Sequence, residues 1–126
     1  MKYTGVMDKE CIELCDTLNT LPGVKTCDSC CGHLKDKYRI FMTISNFYSI
    51  SLLARAFDHR YSSGKWIVYI DSGDMTQRKV GVAIFILEST EIFKTQEEME
   101  KYITEAINNI KYWQDKKFKK YLKGIE

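Results

Sequence analysis

The residues with the most chemistry to offer lie in one eight-residue window, TCDSCCGH, at positions 26–33. Cysteine, histidine, serine and threonine so close to a glycine suit four different roles. They can bind a metal, supply a catalytic nucleophile, form a ligand-binding loop, or simply make a sulfur-rich turn. Each role places a different demand on the rest of the chain.

A zinc site would need ligands from outside the window, since a tetrahedral structural site usually takes two ligands from each of two separated turns. The window itself supplies four donors, which are Cys27, Cys30, Cys31 and His33. Elsewhere the chain offers Cys11, Cys15 and His59. Cys11 and Cys15 fall on the apolar stripe of a predicted helix, where cysteine is usually a buried packing residue. The sequence therefore does not favour a metal site.

A catalytic cysteine would need a base that the fold holds beside it. Cys30 is the preferred thiol of the window, and His33 follows it closely. Adjacency in sequence is weak evidence, because catalytic Cys and His partners are normally brought together from distant parts of a chain. With no further catalytic group recognisable, we expect the protein to be non-enzymatic and to need no cofactor.

A ligand-binding loop suits the window best. A strand that stops at small residues exposes amides and hydroxyls to a phosphate, a carboxylate or a base edge, and Gly32 lets the backbone approach closely. Arginines from a neighbouring helix end would supply the charge that holds an anion. The predicted ligand-binding residues are Thr26, Ser29, Cys30, Cys31, Gly32, His33, Arg55 and Arg60. The alternative is a turn in which Gly32 takes a positive φ and the cysteines pack beneath it.

The stretch around the window resembles a known family. A helix ending in LN, then LPGVKT and a Ser-Cys-x-Gly loop followed by an imidazole, resembles the amino-terminal part of the tRNA wybutosine-synthesising methyltransferase family. That family carries a Ser-Ser-Cys-Ser-Gly-Arg loop; Ser29, Cys30 and Gly32 agree with it, whereas Asp28, Cys31 and His33 differ. The resemblance implies a tRNA-modification enzyme or accessory subunit that uses S-adenosylmethionine.

Over its full length the chain is similar to short proteins of unknown function encoded in phages and prophages. The segments that carry this similarity are Leu14–Gly23, Thr26–His33, Leu53–Arg55, Trp66 and Phe85–Ser89. The preferred hypothesis is a homo-oligomeric, non-enzymatic binding protein for a nucleotide-like ligand. A viral protein of this kind would act against host defence by sequestering a signalling nucleotide in the host cytoplasm. A protein-interaction module is the third hypothesis.

Composition narrows the class of protein. The chain has 126 residues, of which 44% are apolar, so one domain spanning 1–126 is expected. A net charge of +2 is too small to imply nucleic-acid binding by the whole surface. Five cysteines, three of them close together at positions 27, 30 and 31, favour a reduced cytoplasmic compartment over a disulfide framework. We find no apolar run that predicts a bilayer crossing or a signal peptide, and expect no membrane partner.

The elements that must position the window follow from hydrophobic periodicity. Helices are predicted over 8–19, 47–61 and from 95 onward, and strands over 24–27, 37–45, 65–70 and 79–89. Asp8 is expected to cap the first helix, and Thr95 with Glu98 forms a capping-box signature. The order α-β-β-α-β-β-α predicts an α+β two-layer sandwich, with helices on one face of a mostly antiparallel sheet and a long carboxyl-terminal helix.

Two charged features complete the analysis. The segment 111–123, KYWQDKKFKKYLK, combines lysines and aromatics, which suits a tRNA-binding surface. Its helical spacing favours instead a solvated lysine face whose aromatics pack inward. Asp71, Asp74 and Glu88 lie near predicted strand ends, and single acids at such positions are expected to be solvated.

Overall fold

The computed structural model describes residues 7–71 and 83–117, with side chains through residue 115. The elements in chain order are α1 (Lys9–Asn19), β1 (Val24–Cys30), β2 (Arg39–Ile44), α2 (Phe47–Ala56), β3 (Trp66–Asp71), β4 (Ile84–Ser89) and α3 (Gln96–Tyr112). The four strands form one antiparallel sheet in the order β1-β2-β4-β3. The predicted α+β architecture is confirmed.

The helices cover one face of the sheet, and strand alternation shows which one. Ile40 and Met42 of β2 are fully buried, whereas the intervening Arg39, Phe41 and Thr43 point to the other face and stay partly exposed. On the helical face, α1 packs on β1, and α3 contacts both α1 and α2. The uncovered face therefore carries its own row of side chains, which includes Arg39 and Glu88.

Strand β1 runs further than predicted, to Cys30 rather than Cys27. A β-bulge between Thr26 and Asp28 shifts the pairing of β1 with β2 by one residue. Pairing then continues to the end of the strand, where Cys30 lies opposite Arg39 of β2. Most of the cysteine-rich window is thus strand, and only its last three residues form the turn. A bulge depends on the partner strand, so hydrophobic periodicity alone does not reveal it.

Helix α2 ends at Ala56, five residues before the predicted end. The Asp58 carboxylate accepts a hydrogen bond from the Arg60 amide at 2.8 Å, and this local turn replaces a further helical turn. The spacing of apolar residues predicts an inward face of Ile50, Leu53, Ala54 and Phe57, but Ala54 is exposed and Leu52 is fully buried instead. Two predicted features lie outside the described residues. They are positions 79–82, which begin the predicted strand over 79–89, and Asp74 in the turn before it.

Helix α3 follows its predicted pattern. The Thr95 hydroxyl accepts from the Glu98 amide at 3.0 Å, while the Glu98 carboxylate accepts from the Lys94 amide rather than from that of Thr95. Its apolar stripe faces the core through five buried residues, which are Met99, Ile103, Ala106, Ile107 and Ile110. Within the described ranges, no helix combines the length and the apolar character that a bilayer crossing requires.

An aromatic cluster joins the sheet to α3. Trp66 lies at 5.2 Å from Tyr38 and 5.8 Å from Phe93, measured between ring centroids and with edge-to-face geometry. The indole Nε1–H donates to the Tyr102 carbonyl at 3.0 Å. The Tyr38 hydroxyl donates to the Glu10 carbonyl at 2.8 Å, so the same cluster holds the first turn of α1.

Candidate functional site

The predicted window lies at the end of β1, beside the amino terminus of α1. Its first residue, Thr26, is buried and already engaged. The Thr26 amide donates to the side-chain oxygen of Asn19, and the Asn19 amide nitrogen donates to the Thr26 hydroxyl, both at 2.9 Å. Thr26 therefore ties the end of α1 to β1, rather than presenting its hydroxyl to a ligand as predicted.

Ser29 faces two buried thiols. Burial raises the pKa of Cys11 to about 12 and that of Cys15 to about 11, even though hydrogen bonding with Ser29 acts in the opposite direction on both. Cys11 and Cys15 are fully buried in the core, which confirms the prediction that they are packing residues. The Ser29 side chain thus interacts with the thiols of α1.

Asp8 belongs to the site, although the sequence analysis treated it only as a helix cap. Its carboxylate accepts a hydrogen bond from the Cys31 amide at 3.0 Å, instead of capping the first amides of α1. That bond is the main cause of the lowered pKa of Asp8. The expectation of a capping Asp8 is therefore wrong, because the incoming end of β1 offers the carboxylate a closer donor.

Asp8, Cys31 and His33 form a cluster, hereafter the Asp8 cluster. Cys31 Sγ lies 3.6 Å from His33 Nδ1, and His33 Nε2 lies 3.6 Å from Asp8 Oδ2. One donor atom from each residue can be chosen so that all three lie within 4.8 Å of one another. Cys31 is buried, whereas the His33 side chain is 66% exposed.

The thiol beside the imidazole is thus that of Cys31. Cys30, the preferred nucleophile from the sequence, is exposed, and its sulfur accepts from the Gly32 amide at 3.4 Å. Burial raises the pKa of Cys31, so its thiol is held protonated. A protonated and buried thiol is a poor nucleophile, so the arrangement does not favour covalent catalysis.

Three consecutive residues after β1 adopt left-handed backbone angles. Gly32, His33 and Leu34 have φ values of 81°, 52° and 62°. A side chain at Gly32 would place its Cβ 3.0 Å from the Lys37 carbonyl oxygen, so glycine is needed for both its φ and its lack of a side chain. His33 and Leu34 are strained there, at roughly 1–2 kcal/mol per residue. Strain of this kind is concentrated at functional sites.

Several backbone amides of the window are already hydrogen-bonded within the protein, whereas the sequence predicts amides that are open to a ligand. The Cys31 amide donates to Asp8, the Gly32 amide to the Cys30 sulfur, and the Ser29 amide to Asp28 at 2.8 Å. An anion would have to displace these groups to bind the same amides. The exposed side chains of the loop are therefore more accessible to a ligand than these three amides.

Arg55 and Arg60 make their contacts around the carboxyl end of α2. Arg55 donates to the Tyr61 hydroxyl at 3.1 Å and lies over the rings of Tyr61 and Trp113. Arg60 binds the Asp58 carboxylate through Nε at 3.0 Å and Nη2 at 2.8 Å. These contacts form a second cluster, distinct from the window. Trp113 is partly buried and packs against the core, as the packing explanation for segment 111–123 expects, whereas Tyr112 is 51% exposed. Residues 118–123 lie outside the described residues.

The basic residues that directly follow the window are Lys35, Lys37 and Arg39. Arg39 Nε donates to Glu88 Oε1 at 2.7 Å, and the Lys37 ammonium lies 3.8 Å from the other Glu88 oxygen. The Tyr69 hydroxyl also donates to Glu88, at 2.8 Å. Glu88 is only 6% exposed, so the expectation that it is solvated is wrong. Its neighbours on β2 and β3 cover it.

Comparison of the chain with protein-family models, with curated proteins and with solved structures finds no match. The resemblances to phage proteins and to the wybutosine family therefore stay predictions. The same holds for the homo-oligomer, for binding of tRNA, and for the protein-interaction hypothesis. The geometry of the site is the evidence on which a function can be proposed.

The five thiols should divide into two classes of reactivity. With Ellman's reagent at pH 8 and EDTA present, we expect Cys27 and Cys30, which are exposed, to react promptly. The buried Cys11, Cys15 and Cys31 should react only after denaturation. Alkylation followed by peptide mass spectrometry would identify the sites. Prompt labelling of Cys31 at the rate of Cys30 would contradict the described burial.

Proposed function

We propose that this chain is a small, non-enzymatic binding protein for a nucleotide-like ligand, and that the turn after β1 makes the contact. The observation that carries the proposal is the left-handed run at residues 32–34. It fixes the backbone that carries the His33 imidazole, which keeps 66% of its surface exposed beside Cys31 and Asp8, and the Leu34 side chain, which is 37% exposed. A strained turn that displays an aromatic and an apolar group is a preorganised ligand surface.

The side chains of the turn match the two halves of a nucleotide. An exposed imidazole can stack on a base or hydrogen-bond to its edge. Lys35 is exposed, and the Lys37 side chain is 39% exposed, so both ammonium groups can reach a phosphate in solvent. In this proposal Lys35 and Lys37 replace Arg55 and Arg60 as the phosphate partners, because the two arginines belong to the separate cluster at the end of α2. Lys37 would exchange its 3.8 Å contact with Glu88 for the phosphate.

The biological role that follows is sequestration. A protein that binds a nucleotide without converting it lowers the free concentration of that nucleotide. If the similarity to phage proteins reflects origin, the target is a signalling nucleotide of the host, and the protein acts in the host cytoplasm.

The test is a thermal-shift panel of cyclic and linear nucleotides, run with EDTA present. A ligand at 100 times its Kd should add about 2.7 kcal/mol of stability. We expect Lys35→Ala and Lys37→Ala to reduce that shift. Lys25→Ala, which removes an exposed lysine from the opposite end of β1, should leave it unchanged. The proposal fails if no nucleotide at millimolar concentration raises the Tm, or if the Lys35 and Lys37 variants keep the full shift.

A further inference from the structure

We propose that the Asp8 cluster is a zinc site, in which Asp8, Cys31 and His33 bind Zn²⁺ and a fourth position faces solvent. The sequence disfavours a metal because the window lacks a second group of ligands. The structure supplies the missing ligand from the residue that precedes α1, since the Asp8 carboxylate accepts a hydrogen bond from the Cys31 amide. This inference does not depend on the proposed function, although both use His33.

The spacing of the donors fits tetrahedral zinc. With Zn–S near 2.3 Å and Zn–N near 2.0–2.1 Å, tetrahedral angles place the sulfur and nitrogen about 3.6 Å apart. The distance between Cys31 Sγ and His33 Nδ1 is 3.6 Å. One donor atom from each of the three residues can be chosen so that all three lie within 4.8 Å of one another. The Asp8 carboxylate lies 3.6 Å from Nε2, so its rotation toward Nδ1 brings the three donors onto one ion.

The donor chemistry selects the metal. Sulfur, imidazole nitrogen and a carboxylate oxygen suit Zn²⁺, whereas Ca²⁺ and Mg²⁺ bind oxygen ligands. Binding is written Cys31–SH + Zn²⁺ → Cys31–S–Zn⁺ + H⁺, and the proton leaves to the buffer. Three protein ligands with an open position are typical of zinc sites that accept a water molecule or an external ligand.

The backbone around the cluster is built to hold these donors. His33 takes its left-handed conformation immediately after Cys31 and Gly32, which turns the imidazole back toward Cys31 and Asp8. The Lys35 and Asp36 amides both donate to the Gly32 carbonyl, at 2.9 and 3.0 Å, and close the turn. The strain of the turn thus places a nitrogen donor beside a buried sulfur.

Cobalt provides the direct readout. The metal-free protein is titrated with Co²⁺, and we expect the visible bands of tetrahedral cobalt together with a near-ultraviolet thiolate-to-cobalt charge-transfer band, both removed by added Zn²⁺. Cys31→Ser should abolish the charge-transfer band. Asp8→Asn and His33→Gln should each lower the Co²⁺ affinity more than about tenfold. Cys27→Ser and Cys30→Ser are the matched controls and should keep the full spectrum.

Several outcomes would overturn the zinc proposal. These are a weak octahedral spectrum for the unaltered protein, loss of the charge-transfer band in Cys30→Ser but not in Cys31→Ser, and unchanged Co²⁺ affinity in both Asp8→Asn and His33→Gln. His33 is largely exposed, so its variant should fold even if Cys31→Ser does not. Because the nucleotide panel contains EDTA, its result does not depend on metal, and the two proposals can fail separately.

Discussion

Trp66→Ala is expected to lower the free energy of unfolding by about 3–5 kcal/mol. The indole is 1% exposed and contacts the rings of Tyr38 and Phe93. Its removal leaves a cavity and also strips the Tyr102 carbonyl of the Nε1–H donor. The destabilisation would extend to the Asp8 cluster. Tyr38, which packs on Trp66, also donates a hydrogen bond to the Glu10 carbonyl in the first turn of α1, next to Asp8.

Urea unfolding followed by far-ultraviolet circular dichroism measures the change without depending on tryptophan fluorescence. Ile67→Ala is the matched control, since the next residue of β3 points to the uncovered face and is 42% exposed. We expect that variant to lose less than about 1 kcal/mol. If the two variants differed by less than 1 kcal/mol, the aromatic cluster would not be the junction that the structure describes.

Arg39→Met is expected to destabilise the protein by about 2 kcal/mol. It leaves the Glu88 carboxylate, whose side chain is 8% exposed, without its 2.7 Å partner. Breaking a fully buried ion pair costs about 3–5 kcal/mol, whereas an exposed pair contributes about 0–1 kcal/mol. The Arg39 side chain is 33% exposed, so we expect a loss between these two limits. The Tyr69 hydroxyl still donates to the carboxylate and moderates the loss.

A double-mutant cycle isolates the pair. Arg39→Met with Glu88→Leu should recover most of the lost stability, because both charges are then absent from the sheet. Asp36→Asn is the control: it removes the other carboxylate that contacts Arg39, but one that is 64% exposed, and should cost less than about 0.5 kcal/mol. Equal losses for Arg39→Met and Asp36→Asn, measured by urea unfolding, would refute a buried role for Glu88.

Hydrophobic periodicity predicted the elements whose buried residues follow one regular pattern. The stripe from Met99 to Ile110 identifies α3 without knowledge of its neighbours, and the alternation of Ile40 and Met42 identifies the inner face of β2. The ends of helices and strands, by contrast, depend on tertiary and side-chain contacts that hydrophobic periodicity does not reveal. The bulge in β1 exists because β2 pairs with both of its halves, and α2 ends where the Asp58 side chain captures an amide.

The site was predicted only in part for a similar reason. His33 and Cys31 are close in sequence, yet Asp8 lies 23 residues before Cys31 and joins them only when α1 packs beside β1. An aspartate before a helix is typical of a cap, so nothing local marked it as a ligand. Arg55, by contrast, was assigned to the window, but Tyr61 and Trp113 hold it elsewhere. Such outcomes depend on tertiary packing rather than on residue type.

The left-handed run after β1 also bears on how this chain should respond to protein engineering. Glycine or asparagine relaxes a left-handed backbone, so a procedure that ranks substitutions by stability would favour them at positions 33 and 34. The same substitutions would erase the imidazole and the apolar group that the turn displays. These are therefore stabilising changes that a screen for thermostability would select at the expense of the proposed ligand binding.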